Sequence, residues 1–472
     1  MLRAALQHAR ASRRGTLQAL RACLRLPSIS SQPRHAADVR CCAEWLARYV
    51  EHLGLRHVRL LPGDHHPYVY GEWLHAPAAP TLLIYGHYDV QPAEPRDWRS
   101  PPFEPTLDGA VLRARGASDD KGQLFAHLAA LHAYLGATRH LPINVKVLLD
   151  GEEEIGSPGL VRLAGSHGRQ LLAADAAVIS DTRMLGRSRP AMTYSLRGNL
   201  AYDLEVRGPN RDLHAGSFGG LVHNPLQVLC EILASLHDAS RRVAIPGFYD
   251  TVVPLSAAER AELARDGPPD AALKREAGVS HDWGEPGFTT YERTTTRPAL
   301  TLNGIAGGAA RTVIPGTARA YISFRLVPRQ EPAEIDRIFR QQLQRLAPQS
   351  VQLNVRRRVS VPPVILDRRH AVSHAAARAY QRVFGRPAVW LRSGGTIPVA
   401  GFLQRDLGTP TVLMGYGLPG DGTHAPNEQL HLPTFFRAID TCILFYRELA
   451  ASPPQALTEV ASHDHRRALS RW

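Results

Sequence analysis

Four short apolar runs, each ending in polar or acidic residues, constrain this chain more than any other feature. They are Thr81-Leu82-Leu83-Ile84-Tyr85, Ile143 to Leu149, Ala176 to Ser180 and Thr411 to Met414. Runs this short and this continuously apolar read as strands buried on both faces, and helix-like segments such as Gln123 to Leu135 and Leu160 to Leu172 separate the first three. The pattern predicts an α/β fold: a mostly parallel sheet with helices on both faces.

The middle of the chain has a different period. Tyr202 to Val206 and Arg319 to Arg325 alternate apolar and polar residues, as antiparallel strands with one wet face do, and a helix over Pro225 to Leu236 lies between them. At 472 residues the chain is too long for one core. We therefore expect a discontinuous catalytic domain over 1–195 and 330–472, interrupted by an inserted α+β domain over 196–329. Leu17, Leu20, Leu24 and Leu26 read as a first amphipathic helix ending at Pro27. The basic, acid-poor stretch around them also resembles a transit peptide, but is taken as part of the fold. The His/Arg-rich tail after Pro453-Pro454 is expected to fray.

No run approaches the roughly 20 apolar residues a membrane span needs. The net charge of +13 is spread along the chain without a basic stripe, so neither a membrane nor a nucleic-acid partner is expected. Five cysteines without a C-x-x-C pair suit a reducing, cytoplasmic setting and exclude a thiolate zinc site.

Ligands of open α/β sheets bind beyond the carboxyl ends of the strands, and each run delivers chemistry there. The first gives Gly86-His87-Tyr88-Asp89-Val90, the second Glu152-Glu153-Glu154, the third Asp181, and the fourth His424 on the following loop. Ser118-Asp119-Asp120-Lys121-Gly122 opens a helix between the first two. Singly, each has an ordinary explanation: a hydrogen-bonded structural histidine, an acidic helix cap, a solvated turn. Jointly they would all have to reach one rim by accident. Imidazole and carboxylate suit borderline divalent ions, and two such ions need a further carboxylate as base. Of His87 and Asp89, one could bind metal while the other fixes the imidazole.

These motifs, with Ser180-Asp181 and Gly422-Thr423-His424-Ala425-Pro426-Asn427-Glu428, resemble in order and spacing those of the di-zinc metallopeptidase family. It includes carnosinase, cytosolic non-specific dipeptidase, carboxypeptidase G, acetylornithine deacetylase and succinyl-diaminopimelate desuccinylase. The resemblance implies that His87 and Asp181 hold one ion, Glu154 and His424 the other, and Asp119 bridges them. Glu153 would be the general base, Asp89 the residue orienting His87, and Asp120 no ligand. Glu152 is read as a solvent-facing neighbour. Two divalent ions per chain are implied, zinc first, with manganese or cobalt as alternatives.

Arg211-Asp212-Leu213-His214-Ala215-Gly216 is similar to the dipeptidase branch. There the resemblance makes the insertion a lid and dimerisation domain, and His214 an oxyanion donor reaching the other subunit's site of a homodimer. Arg325 is implied to grip the substrate's terminal carboxylate, with Ser393 and Gly394 on a loop contacting the same group, and Asn303 a further substrate contact. The stretch Gly304 to Thr312 is shorter than in relatives. The stretch Arg113-Ala114-Arg115-Gly116 replaces the aromatic they carry before the bridging aspartate, without expected consequence for metal binding.

The function these features imply is hydrolysis of the amide of a dipeptide or short peptide by a water between two ions. An N-acyl amino acid deacylase or carboxypeptidase of the same family is the alternative, and an inactive binding protein the rival from another class. Gly415-Tyr416-Gly417-Leu418-Pro419-Gly420 fits G-x-G-x-x-G but leads into Pro419 and the His424 loop rather than a helix, which excludes a dinucleotide site.

Overall fold

The strands Asn144–Asp150, Thr81–His87, Ala176–Ile179 and Thr411–Leu413 lie side by side and parallel, in that spatial order. Nearly every residue of the first three is buried, so both faces are covered, as uninterrupted apolar runs require. Antiparallel strands complete the sheet: Tyr68–Trp73 and Arg56–Leu61 beyond Asn144–Asp150, and Ala191–Leu196 beyond Thr411–Leu413. Helix Ala36–His52 packs on Tyr68–Trp73, and helix Lys121–Thr138 on Thr81–His87. The latter is buried around almost its whole circumference, because the helices Leu2–Ala11 and Leu432–Ala450 cover it from outside. Leu2–Ala11 precedes the expected first helix, which is observed as Arg13–Leu24.

This computed structural model describes residues 1–453 and Leu457; the tail beyond Pro453, Leu457 apart, lies outside the described residues. Two units are present. One comprises Met1–Tyr194, Leu366–Leu391 and the described residues from Ile397 onward; the other comprises Ser195–Ile365 with Arg392–Thr396.

The second unit is built on a four-stranded antiparallel sheet in the order Ala299–Gly307, Thr317–Leu326, Gly198–Arg207, Gln352–Val361. Thr317–Leu326 alternates exposed and buried residues, the period-two signature read from its sequence. Its inner face packs with helices Pro225–Ser235 and Pro332–Leu346 into one core holding Tyr202, Phe324, Val228, Ile232, Ile335 and Phe339. This unit runs past the expected boundary at 329. The reason is pairing: Gln352–Val361 completes the sheet beside Gly198–Arg207, and Pro332–Leu346 buries its apolar face in the same core. No helix among the described residues is long and apolar enough to cross a membrane.

Candidate metal centre

The carboxyl ends of the four parallel strands deliver the candidate residues to one rim. Thr81–His87 and Asn144–Asp150 end in register, His87 opposite Asp150, so the turn with Glu152, Glu153 and Glu154 emerges beside His87. Asp181 follows Ala176–Ile179, and His424 lies on the loop after Thr411–Leu413. Asp119 sits just before helix Lys121–Thr138. Gly415 packs against Thr182, where a Cβ would lie 2.1 Å from main-chain atoms, so the glycine-rich stretch beginning there is a packing site, and no helix opens there.

Asp119 lies between two imidazoles. Its Oδ1 is 2.9 Å from His87 Nε2, and its Oδ2 is 2.9 Å from His424 Nε2. Asp181 Oδ2 lies 3.9 Å from His87 Nε2, and Glu154 Oε2 lies 3.2 Å from His424 Nε2. Two donor groups result, His87–Asp119–Asp181 and Asp119–Glu154–His424, each with its ligand atoms within 4.8 Å of one another. Asp119 is common to both. Asp120 is in neither; its Oδ2 accepts the main-chain N–H of His87 at 3.2 Å.

The electrostatics show what the cluster lacks. Burial, then repulsion from Asp119, pushes the Asp181 carboxyl up to about 8. Glu153 is raised well above the usual carboxylate range by burial, with Asp181 and Glu154 adding to it. The hydrogen bonds to Asp119 and Glu154 raise His424 to about 10. Burial opposes protonation of His87, yet its bonds to Asp119 and Asp89 raise it well above the ordinary histidine range. These carboxylates therefore call for positive charge beyond what two histidines supply. Glu154 Oε1 is buried without a hydrogen-bond partner among the described residues. Mixed imidazole–carboxylate donors, a shared aspartate and an unsatisfied oxygen fit a pair of divalent ions.

The supporting residues differ in part from the reading of the sequence. Glu152 does not face solvent. It is fully buried, and its carboxylate accepts the N–H groups of His65, His66 and Gly159 and the hydroxyl of Tyr68. The turn curls back over the loop before Tyr68–Trp73, and that places Glu152 inside it. Asp89 stands near His87, but Nδ1 is closest to the main-chain oxygen of Asp89, at 3.0 Å, with the carboxylate at 3.3 Å. That carboxylate also accepts the main-chain N–H groups of Glu153 and Glu154 at 3.2 and 3.0 Å and the Ser30 hydroxyl at 2.6 Å. Gln91, absent from the sequence reading, donates to Glu154 Oε2 at 2.8 Å.

His214, Arg325, Ser393, Gly394 and Asn303 all belong to the second unit. His214 is exposed on a two-residue strand paired with Val313–Ile314. Arg325 Nη1 donates to Thr396 Oγ1 at 2.9 Å, which in turn donates to the main-chain oxygen of Arg197 at 2.7 Å. Arg197 reaches back to the Gly394 carbonyl at 3.2 Å, and Ser393 Oγ accepts the Gly395 N–H at 3.1 Å. Two guanidinium groups thus flank the Ser393–Thr396 loop, and Arg197 was not foreseen. Asn303 accepts from Ser323 Oγ at 2.7 Å on the exposed face. The strand Ala299–Gly307 leads through Gly308 to Thr312 directly into Val313–Ile314.

Residues 83–452 match the model of peptidase family M20/M25/M40. The chain belongs to that family. It is 32% identical to the Cys-Gly metallodipeptidase dug1 of Schizosaccharomyces pombe, over 82% of this chain and 84% of that protein. It is 31% identical to the human beta-Ala-His dipeptidase, over 81% of this chain and 78% of the relative. Among solved structures, human carnosine dipeptidase 1 superposes with a TM-score of 0.84 at 29% identity, covering 96% of this chain and 99% of the other. An M20 family metallo-carboxypeptidase from Sulfolobus solfataricus superposes with a TM-score of 0.85 at 31% identity, over 93% and 99%. The member is thus an enzyme of the metallopeptidase class, with its named relatives on the dipeptidase branch.

Proposed function

We propose that this M20 peptidase hydrolyses dipeptides or short peptides bearing a free C-terminal carboxylate, with two divalent ions at the Asp119 centre. The observation that carries the reading is Asp119 itself, with each carboxylate oxygen 2.9 Å from a different imidazole. His87, Asp119 and Asp181 would hold one ion, and Asp119, Glu154 and His424 the other, zinc being the first choice for such a donor set. When bound, such ions would polarise an amide carbonyl and lower the pKa of a water.

The remaining steps fall to the chain. Glu153, buried beside the centre and no part of either donor group, takes the proton of the attacking water and returns it to the leaving amine. Asp89 orients Glu153 through the main chain and steadies His87. Arg325, whose guanidinium donates to the Thr396 hydroxyl, suits the terminal carboxylate, with Ser393 and Gly394 beside it and Asn303 on the neighbouring strand. His214 suits an oxyanion donor because it is exposed and has no carboxylate partner among the described residues.

In this reading the second unit is a lid and dimerisation domain. Its outer strand Ala299–Gly307 has no strand on its outer side among the described residues and exposes Leu302 and Ile305, which suit pairing with a second copy. The five free cysteines fit a reducing, cytoplasmic setting.

The likeness to the Sulfolobus metallo-carboxypeptidase favours carboxypeptidase activity as the second reading. A screen of dipeptides, longer peptides and N-acetyl or N-succinyl amino acids, with zinc, manganese or cobalt added to metal-free enzyme, separates the two. Turnover of dipeptides above the others supports the proposal; turnover of acyl amino acids alone overturns it. Light scattering in solution reads the dimer, and a monomer at micromolar concentration overturns that part.

A further inference from the structure

Arg115 and Glu428 form a buried ion pair with no role in the steps above. Arg115 Nη1 donates to Glu428 Oε2 at 2.8 Å, and the two side chains are 2% and 0% exposed. A buried pair of this kind is a weak stabilising device, since desolvation offsets most of the attraction. The other contacts of Glu428 point elsewhere. Its Oε2 also accepts the Gly116 N–H at 2.8 Å, and its Oε1 accepts the N–H groups of Ser118 and Asp119 at 2.8 and 2.9 Å. Its main-chain oxygen accepts the Ala114 N–H at 3.1 Å. One carboxylate thus holds the turn that ends in Asp119.

Glu428 lies four positions beyond His424 on the other loop. A second tie runs parallel to the first: Ser118 Oγ donates to Asp421 Oδ2 at 3.1 Å, and the Leu418 N–H donates to the same oxygen at 2.7 Å. The loop carrying the shared aspartate and the loop carrying His424 are therefore fastened together away from the ligand atoms.

We propose that Glu428, held in place by Arg115, is the positioning residue of the metal centre: it fixes the Asp119 backbone against the His424 loop, so that both ion sites depend on one clamp. The inference rests on the two-ion reading above. Outer partners of metal ligands commonly contribute 10–100-fold to metal affinity. Because Asp119 faces both imidazoles, displacing its turn weakens both sites together.

The charge of Arg115 gives the test its sign. In Glu428→Gln the amide oxygen must face the guanidinium, so the NH2 group meets the N–H groups of Ser118 and Asp119, where an acceptor is needed. In Arg115→Met/Glu428→Gln the amide is free to turn its oxygen toward those two groups, which leaves its NH2 against the single N–H of Gly116 and makes the recovery partial. Zinc and cobalt(II) titrations of metal-free full-length protein, with the cobalt visible spectrum and the melting temperature recorded, read the outcome. We expect both affinities to fall about 10–100-fold in Glu428→Gln and to recover within about tenfold of wild type in the double variant.

Wild-type affinity in Glu428→Gln overturns the proposal, as does a double variant weaker than the single one. Should Glu428→Gln not fold, amide exchange of Ser118 and Asp119 in the metal-free wild type decides: slow exchange is expected, and exchange at the rate of an open loop overturns it. Asp119→Ala guards the underlying reading. If Asp119→Ala binds two ions as tightly as wild type, the two-ion centre itself fails; if it loses them while Glu428→Gln does not, only the clamp fails.

Discussion

The carboxylate of Asp89 accepts the main-chain N–H of Glu154 at 3.0 Å, joining the end of one parallel strand to the turn that follows its neighbour. The same carboxylate holds the N–H of Glu153 and lies 3.3 Å from His87 Nδ1. One buried aspartate thereby sets the position of a candidate ligand on each side of the centre and of the candidate base between them.

Asp89→Asn preserves shape but turns an NH2 group toward one of these N–H donors. Metal affinity should fall about 10–100-fold, with kcat falling beyond what metal restoration recovers. Titration of metal-free protein followed by assay at saturating metal checks both.

Glu153→Ala removes the candidate base and no candidate ligand. It should keep both ions and lose about 10²–10⁴-fold in kcat, read by metal content and turnover on one sample.

Glu152→Ala tests the buried role directly. Four donors lose their acceptor, so unfolding free energy should drop by roughly 3 kcal/mol or more, against a few tenths for an exposed glutamate. Urea unfolding with the metal-free protein measures it without interference from bound ions.

Arg325→Met should raise KM for dipeptides with a free carboxylate and abolish discrimination against their C-terminal amides. Burial lowers the proton affinity of this guanidinium, yet leaves it a cation at neutral pH. Parallel kinetics on acid and amide substrates provide the comparison.

His127 supplies a pH prediction. It is fully buried, bonded to Ser180 Oγ at 2.7 Å and to the Tyr446 hydroxyl at 3.0 Å, and burial pushes it down to about 3. In the unfolded chain it takes a proton below about 6.5, so its contribution is complete above that pH and is lost as pH falls. The loss should reach up to about 2 kcal/mol between pH 6.5 and 5. Urea unfolding at the two pH values should show a smaller drop in His127→Gln.

Much of this architecture is local in origin. Residues 82–85 and Ala176–Ile179 are apolar throughout because both faces are covered, and Thr317–Leu326 alternates because only one is; each pattern is written in consecutive side chains. The rim chemistry is legible for the same reason, since a parallel strand presents whatever follows its last residue. Gln91 and Arg197 carried no such signal, because a glutamine after a valine and an arginine before a glycine are common in any loop.

What the sequence by itself determined was the class of fold, the family and the set of residues on the rim. The tertiary structure alone decided which way each of those residues faces. Glu152 and Glu153 are adjacent in the chain, yet one is buried among donors near residues 65 to 68 and the other borders the metal centre. Glu428 is bonded to groups more than 300 positions away. Gln352–Val361 joined the second unit because a partner strand from residues 198–207 was waiting for it. Period and motif report the near neighbourhood of a residue. Burial and hydrogen bonding depend on which distant segments arrive beside it.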